Sequence, residues 1–401
     1  MTGMVEERVK QIKNLTEELM PSAVEFRRAL HRHPELAFQE TFTSGKIREE
    51  LRGEGIPVEE DILPTSVIAV IEGKKPGKTI LVREDIDALP MEERTGLSFS
   101  SEVPGCTHSC GHDIHTSSLV LLGKILWRMR EQLAGRVILV FQPAEEIASG
   151  AKAMMGAGFR KKYPEVDQVI GFHTDPALDA GTIGLVKEAA NASTDEVTVT
   201  VKSPGGHGAH PYRCGDPVAA AGYLLTQLQA VISRENPALE PAVLTFGMIH
   251  GGTAANIIPT EVVMKGTLRA FEETGRKKMW NAIHRVCDFG AKAMRTEAEV
   301  EIKEGVPVLY NDPETIEQIR TASEHILGTG KAFDLKASPG SDDFSCFLAC
   351  APGVQFKCGT GNENPKSRKG IHNGENIFDE KCIETGCMVI AEFIFERGDV
   401  C

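Results

Sequence analysis

The chain has 401 residues, of which 41% are hydrophobic and 25% are charged. This length and composition allow large buried cores in more than one domain, and they exclude a fibrous or intrinsically disordered protein. Acidic residues outnumber basic residues by 57 to 44, and the resulting net charge of -13 argues against nucleic acid and anionic membranes as partners.

The N-terminal segment is charged and amphipathic, and it lacks the apolar core of a signal peptide. No stretch reaches the roughly 18 consecutive apolar residues that a membrane-spanning helix needs. We therefore expect a soluble, cytoplasmic protein. The ten cysteines are scattered without a CxxC pair, so we expect buried thiols or metal ligands rather than a disulfide framework.

The first part of the chain predicts helices followed by alternating strands and helices. Helical periodicity occupies about the first 55 residues. Short apolar runs and helical stretches then alternate; the runs lie at 66–73, 78–85, 136–143 and 168–176, and the helical stretches at 115–133 and 149–162. This order favours an α/β domain built on a mostly parallel mixed sheet.

From Thr194 the predicted order changes to strand, helix, strand, strand, helix, strand. This β-α-β-β-α-β order is typical of the ferredoxin-like α+β unit. Helices predicted at 313–327 and 379–396 then return the chain to the first domain. We therefore predict a catalytic domain in two parts with a smaller domain inserted between them. The two parts cover residues 1–190 and 304–401, and the inserted domain covers residues 191–303.

Four segments carry polar, metal-competent side chains beside apolar strands or at the start of a helix. In open α/β sheets, ligands bind beyond the carboxyl ends of the strands, so these segments predict one shared polar site. The segments are 83–87, 107–115, 142–146 and 171–175.

The sequence Cys110-Gly111-His112 is the sharpest local signal for a metal. Thiolate and imidazole both bind zinc and similar divalent ions, and Gly111 lets the backbone turn so that both side chains face one ion. The alternative is a buried cysteine in a helix-capping loop. The nearby His108 and His115 favour the metal hypothesis.

Glu145 and Glu146 form a carboxylate pair at the end of a predicted strand. One could bind a metal while the other acts as a general base, although an acidic surface turn is the alternative. His173 is a candidate metal ligand only because these other metal-competent residues accompany it. Asp85 or Asp87 could orient a metal-bound imidazole, or could be an ordinary surface acid.

The inserted domain carries three further candidates. His207 lies in a glycine-rich turn and could donate to a developing oxyanion, or could pack on its own domain. Asn256 is a second plausible donor. Arg269 lies on a predicted strand, where it could pair with a substrate carboxylate or face solvent. His372, in a later glycine-flanked loop, carries little weight alone.

Together these segments resemble the metallo-amidohydrolases that include aminoacylases, hippurate hydrolase and the plant hydrolases of auxin–amino-acid conjugates. Related dinuclear carboxypeptidases share the architecture. The resemblance runs along nearly the whole chain, through residues 27–40, 82–93, 108–123, 140–146, 171–176, 205–218, 251–260, 266–271, 340–344 and 370–380.

The resemblance implies a zinc-peptidase-like catalytic domain with an inserted lid and dimerisation domain, and hence a homodimer. It implies two divalent ions per subunit, zinc or manganese, bound by Cys110, His112, Glu146, His173 and His372. It also implies that Glu145 is the general base and that Asp85 orients a metal ligand. From the inserted domain, the implied substrate contacts are His207, which would reach the partner subunit's active site, Asn256 and Arg269.

The implied activity is metal-dependent hydrolysis of the amide bond of a small N-acyl amino acid. A dipeptidase or carboxypeptidase that uses the same dinuclear site is the alternative. A third possibility is a binding protein that has lost turnover, and the complete set of implied ligands and base argues against it.

The chain departs from the family pattern around the implied pocket. The family usually has glutamate where this chain has Asp342, and histidine where it has Tyr212. It often has Arg-Ala-Asp at 83–85 and usually Ser-Pro at 373–374, where this chain has Arg-Glu-Asp and Asn-Gly. These departures leave the identity of the substrate open, but they do not change the implied chemistry.

Overall fold

A computed structural model describes residues 3–59 and 61–399. The chain divides into two compact units. Unit 1 comprises Met1–Glu188, Tyr310–Lys336 and Asp343–Cys401, and unit 2 comprises Ala189–Leu309 and Ala337–Asp342. The catalytic domain predicted from the sequence also covers residues outside the described part of the chain, namely Met1, Thr2, Glu60, Val400 and Cys401.

The helices lie close to where the apolar periodicity predicts them. In chain order they are α1 (Gly3–Arg32), α2 (Thr41–Glu54), α3 (His112–Arg128), α4 (Gly150–Gly156), α5 (Phe159–Lys162), α6 (Pro217–Ala230), α7 (Glu273–Ala293), α8 (Pro313–Leu327) and α9 (Lys381–Asp399). None of the helices within the described ranges combines the length and the apolar character that a membrane span requires.

The strands follow the predicted apolar runs. They are β1 (Val67–Glu72), β2 (Lys75–Asp85), β3 (Ala134–Gln142), β4 (Gln168–Asp179), β5 (Ile183–Leu185), β6 (Glu188–Asn191), β7 (Asp195–Lys202), β8 (Gly206–His207), β9 (Ala242–Gly251), β10 (Ile257–Ile258), β11 (Glu261–Ala270), β12 (Glu297–Glu304), β13 (Leu309–Asn311), β14 (Ala332–Asp334) and β15 (Gly353–Gly361).

Unit 1 is built on a seven-stranded sheet in the order β1-β3-β2-β4-β15-β5-β14. The pairs β3-β2, β2-β4, β4-β15 and β5-β14 are parallel. The pairs β1-β3 and β15-β5 are antiparallel. Helices α1, α3 and α9 contribute to one apolar core with this sheet. The predicted α/β class with a mostly parallel mixed sheet is therefore confirmed.

The sheet of unit 1 also brings the polar segments together. Strands β2, β3 and β4 run in the same direction, so their carboxyl ends meet at one edge. Asp85 at the end of β2 is in register with Gln142 at the end of β3. The two glutamates that follow Gln142 and the histidine of β4 are therefore carried to the same edge as the aspartates.

Unit 2 has an antiparallel sheet in the order β12-β7-β11-β9, packed with α6 and α7 around its own apolar core. Alternate residues of β7, namely Val197, Val199 and Val201, are fully buried in this core. Numbered by their order within the unit, the strands read 4-1-3-2, which is the ferredoxin-like arrangement that the sequence predicts.

Candidate metal centre

The loop before α3 and the end of β4 bring three predicted ligands together. Ligand atoms of Cys110, His112 and His173 all lie within 4.8 Å of one another, and all three residues are buried. Cys110 Sγ lies 3.4 Å from His173 Nε2. Gly111 has a φ of 88°, and a Cβ there would lie 2.8 Å from Thr174 Oγ1. Only glycine therefore fits between the two ligands of the loop.

A second group shares Cys110 with the first. Ligand atoms of Cys110, Glu146 and His372 also lie within 4.8 Å of one another, and His372 Nε2 lies 3.2 Å from Glu146 Oε2. His372 has a φ of 58°, a strained conformation that its surroundings must enforce. Its backbone N–H donates to Ser109 O at 2.9 Å, which ties it to the loop of Cys110.

Two buried atoms of these groups support a bound cation. Within the described residues, His112 Nε2 and Glu146 Oε1 have no hydrogen-bond partner, and they lie 3.7 Å apart. Unsatisfied buried polar atoms are rare and costly. Tetrahedral zinc places nitrogen, oxygen and sulfur ligands about 3.3–3.6 Å apart, close to the separations found here. The donor set therefore fits divalent ions.

Burial shifts the pKa values of two of these ligands. Burial raises the pKa of the Cys110 thiol well above its usual range, and the charge of Glu146 adds to the rise. A bound cation is what stabilises such a thiolate. Burial lowers the pKa of His173 well below its usual range. Its neutral ring donates from Nδ1 to Thr174 O at 2.8 Å, which leaves the Nε2 lone pair facing Cys110.

The carboxylate that contacts His112 Nδ1 is that of Asp87, whereas the resemblance assigns the orienting role to Asp85. Asp87 Oδ1 accepts from His112 Nδ1 at 3.2 Å, and Asp87 Oδ2 accepts from the backbone N–H of Glu146 at 3.0 Å. Asp85 does not contact His112 Nδ1 because its carboxylate is turned toward two other groups. It accepts from His115 Nδ1 at 2.6 Å and from Arg83 Nη1 at 3.0 Å.

His115 is close to the ligands but is already satisfied. Its ligand atom lies within 4.8 Å of those of Asp85 and His112. However, Nδ1 donates to Asp85 and Nε2 accepts from the backbone N–H of Thr174 at 2.9 Å. His108 is also buried, 6.4 Å from the ring of His31, and burial lowers its pKa to about 3. His115 therefore has no free lone pair for an ion, whereas both ring nitrogens of His108 lack a hydrogen-bond partner among the described residues.

Glu145 and Glu146 lie in the turn after β3, where their carboxylates come within 4.8 Å of a ligand atom of His112. Ala144 before them has a φ of 58°. Its backbone N–H donates at 2.9 Å to Oε1 of Glu40, a buried carboxyl whose pKa burial raises to about 7. Glu40 holds the turn from a distant part of the chain. It ends the segment 27–40 that carries the family resemblance, but no role was predicted for it.

Helix α1 fixes the start of α3 from behind the ligands. Asp113, next to His112, lies 2.7 Å from Arg27 Nε and accepts from His31 Nδ1 at 2.8 Å. The guanidinium of Arg27 and the imidazole of His31 lower the pKa of Asp113 despite its burial. The first residues of α3 are therefore anchored to α1 through a buried carboxylate. Its three residues lie in the segments 27–40 and 108–123 that carry the resemblance, but this contact was not predicted.

The three predicted residues of the inserted domain lie in unit 2. His207 and Asn256 are brought together, because β8 pairs with β10 and the backbone N–H of Gly208 donates to Asn256 O at 2.8 Å. His207 Nδ1 accepts from the backbone N–H of Ala209 at 3.1 Å, so a neutral ring carries its proton on Nε2. Arg269 lies on β11 and donates from Nη1 to Pro339 O at 3.1 Å.

Comparison with known proteins places this geometry in a family. The profile of Peptidase family M20/M25/M40 matches residues 81–396. An N-acetylcysteine deacetylase of Bacillus subtilis (strain 168) is 36% identical over 371 residues, which cover 92% of this chain and 95% of that protein. Thermostable carboxypeptidase 2 of Saccharolobus solfataricus is 34% identical over 387 residues, which cover 96% of this chain and 97% of that protein.

A solved structure agrees with these relatives. The Bacillus subtilis YXEP protein, described as a dinuclear metal binding peptidase from the M20 family, has a TM-score of 0.84 and is 32% identical. The comparison covers 96% of this chain and 100% of that chain. The resemblance inferred from the sequence is confirmed, and the chain belongs to Peptidase family M20/M25/M40.

Proposed function

We propose that the chain is a metal-dependent amidohydrolase that cleaves the amide bond of N-acyl amino acids in the cytoplasm. The observation that carries this proposal is the pair of ligand groups that share Cys110, with Glu145 beside them. The full-length similarity to an N-acetylcysteine deacetylase supports a small N-acylated substrate. The proposed metal ligands are Cys110, His112, Glu146, His173 and His372.

In this proposal each protein group has a defined task. Bound divalent ions would supply Lewis acidity, which lowers the pKa of a water molecule and polarises a carbonyl. Glu145 accepts the proton of the attacking water and returns it to the leaving amine nitrogen. His207 Nε2–H and the amide of Asn256 donate to the oxyanion, and Arg269 pairs with a substrate carboxylate. Asp87 keeps the Nε2 lone pair of His112 free for an ion.

The identity of the ions belongs to the proposal as well. Imidazole and carboxylate ligands suit both zinc and manganese, whereas a thiolate favours softer ions. Cys110 stands in both ligand groups. We therefore propose zinc as the native ion, with manganese as the second candidate.

The proposal is tested with a panel of N-acetyl and N-benzoyl amino acids. Metal-stripped protein should release free amino acid only after zinc or manganese is added, because the donor set is complete but the nucleophile needs an ion. Amino-acid release is measured by a ninhydrin assay, and bound metal by elemental analysis. Two bound ions without hydrolysis of any panel member would contradict the proposed substrate class.

A peptidase acting through the same centre is the second candidate, favoured by the 34% identity to a protein named thermostable carboxypeptidase 2. Dipeptides and longer peptides of the same amino acids belong in the same assay. The proposed amidohydrolase should have the higher kcat/KM on the N-acyl compounds. A higher kcat/KM on peptides that carry a free amino terminus would assign the chain to the peptidase class instead.

We also propose a homodimer formed through unit 2. Strand β9 is an edge of its sheet, and Val243, Met248 and Ile249 on it are each about half exposed. On α6 of the same unit, Val218 and Tyr223 are similarly exposed. Exposed apolar edge strands invite pairing with another chain. Antiparallel pairing of β9 with the β9 of a second copy satisfies two-fold symmetry and covers these residues.

The expected solution state of the wild-type protein is a dimer, and Ile249→Lys should shift it to a monomer because a charge is placed on the pairing edge. Sedimentation velocity measures the shift. Tyr310→Lys is the matched control, since this exposed side chain lies in unit 1 and its replacement should leave the dimer intact. A wild-type monomer at micromolar concentration would contradict the proposal.

The role of His207 in the partner subunit can be separated from dimerisation itself. Glu145→Gln and His207→Ala variants should each be inactive alone. After mixing and subunit exchange, activity should return if His207 acts across the dimer, because one site of the mixed dimer then has both groups. No recovery in a demonstrated mixed dimer would place His207 in its own subunit's site.

A further inference from the structure

Lys357 lies on β15, directly beside the metal ligand His173 on β4. The two strands are parallel, and Lys357 is in register with His173. Neighbouring strands are about 4.8 Å apart, and side chains in register project from the same face of the sheet. The preceding register pair demonstrates this, since the rings of Phe356 and Phe172 contact each other at a centroid distance of 5.8 Å, with their planes tilted by 31°. Lys357 and His173 therefore share the opposite face.

The ammonium group of Lys357 has no counter-ion of its own. Within residues 3–59 and 61–399 it makes neither an ion pair nor a side-chain hydrogen bond, although it is half-buried among fully buried residues of β15. Lys187, by contrast, has a carboxylate partner in Glu317 at 2.6 Å.

The position of the Lys357 ammonium group beside a proposed centre for divalent cations requires a physical explanation. Ions bound at His173 would repel the ammonium group, and partial burial reduces the screening that water provides. An anionic group held between them would be attracted by both. The protein has an excess of acidic residues, yet none of those described pairs with Lys357, so an anion that pairs with it would come from outside the chain.

We infer that Lys357 binds a carboxylate group of the substrate and thereby selects anionic substrates. This inference rests on the proposed function, because the substrate of an N-acyl amino acid hydrolase carries an α-carboxylate and can carry a second carboxylate on its side chain. Lys357 makes a binding contact only and takes no part in proton transfer. It adds to Arg269, which lies in unit 2 and already donates to a backbone carbonyl.

The test compares carboxylates with their neutral carboxamides. N-acetylmethionine against N-acetylmethioninamide reports on the α-carboxylate, and N-acetylglutamate against N-acetylglutamine reports on a side-chain carboxylate. Lys357→Met should raise KM for the acid of at least one pair by roughly 10- to 100-fold, the range of a charge-assisted contact. KM for the matching carboxamide and kcat should change by no more than about twofold. Lys357→Arg, which keeps the charge, should retain the preference for the acid.

Lys187→Met is the matched control, because it removes the same net charge from a lysine that already has a carboxylate partner. An unchanged ratio of KM for acid and amide in Lys357→Met, in both pairs, would overturn the inference. Calorimetry with the Glu145→Gln protein and its Lys357→Met derivative measures binding without turnover. If the Lys357→Met derivative binds the acids more weakly but the carboxamides equally well, the inference is supported even when the wild type hydrolyses no panel member. If none of the four compounds binds, the inference is overturned.

Discussion

Replacing Glu145 with glutamine is expected to lower kcat by roughly 10²- to 10⁴-fold, the usual contribution of a general base. Glutamine has nearly the same shape as glutamate but cannot accept the proton of the attacking water. Glu145 lies with Glu146 beside His112, yet only Glu146 also belongs to the group with Cys110 and His372. The variant should therefore keep both ions, as measured by elemental analysis after gel filtration.

Glu146→Gln provides the matched control, since it changes the neighbouring side chain in the same way. Its expected result is different, because Glu146 has a buried oxygen without a hydrogen-bond partner in the described structure and faces two imidazoles. It should lose bound metal together with activity. An active Glu145→Gln enzyme, or one that loses its ions as Glu146→Gln does, would show that Glu145 is not the base.

Replacing His112 with alanine is expected to have the second large effect, which is loss of metal. His112 contributes to the group of Cys110 and His173 and also faces Glu145 and Glu146. Changing a residue that only orients a ligand typically weakens metal binding 10- to 100-fold. We expect that loss for Asp87→Asn and a greater loss for His112→Ala. Competition with a chromogenic chelator measures both affinities.

His115→Ala is the control within the same helical turn. It removes an equally buried imidazole, but one whose two nitrogens are already engaged by Asp85 and by the backbone of Thr174. This variant should lose stability and yet retain two ions in its folded fraction. Equal loss of metal in His115→Ala and His112→Ala would mean that the choice of His112 as the ligand is wrong.

The architecture of each unit follows from local patterns in the sequence. Continuous apolar runs such as 136–143 became strands buried on both faces, and the changed order of elements after Thr194 gave the antiparallel sheet of unit 2. These patterns are visible because burial of whole strand and helix faces is repeated over many residues. Gly111 was predictable for a similar reason, since a turn between two ligands requires freedom that only glycine has.

The different roles of neighbouring acids and of neighbouring imidazoles could not be predicted in this way. Asp85 and Asp87 are two residues apart, and His112 and His115 are three positions apart in the first turn of α3, so spacing alone treats each pair as equivalent. The distinction depends on which carboxylate faces which ring nitrogen. That is set by distant groups such as Arg83 Nη1, which donates to Asp85 at 3.0 Å.

The position of Lys357 beside His173 could not be predicted from the sequence either. In the sequence it is a lone lysine inside an apolar run, and no motif accompanies it. Only the register between β15 and β4 places it beside His173. The register in turn depends on parallel pairing of two strands that are far apart in the chain, for which the sequence carries no local signal.

The backbone N–H of His372 donates to Ser109 O, so the site joins residues that are far apart in the order of synthesis. The proposed ligands are spread from residue 110 to residue 372, so a ribosome must synthesise the chain past residue 372 before the last one emerges. Unit 2, whose main segment is continuous, can fold as soon as it leaves the exit tunnel. In this proposal the metal centre matures only after residue 372 has left the ribosome, and a nascent chain that stops before that residue cannot complete it.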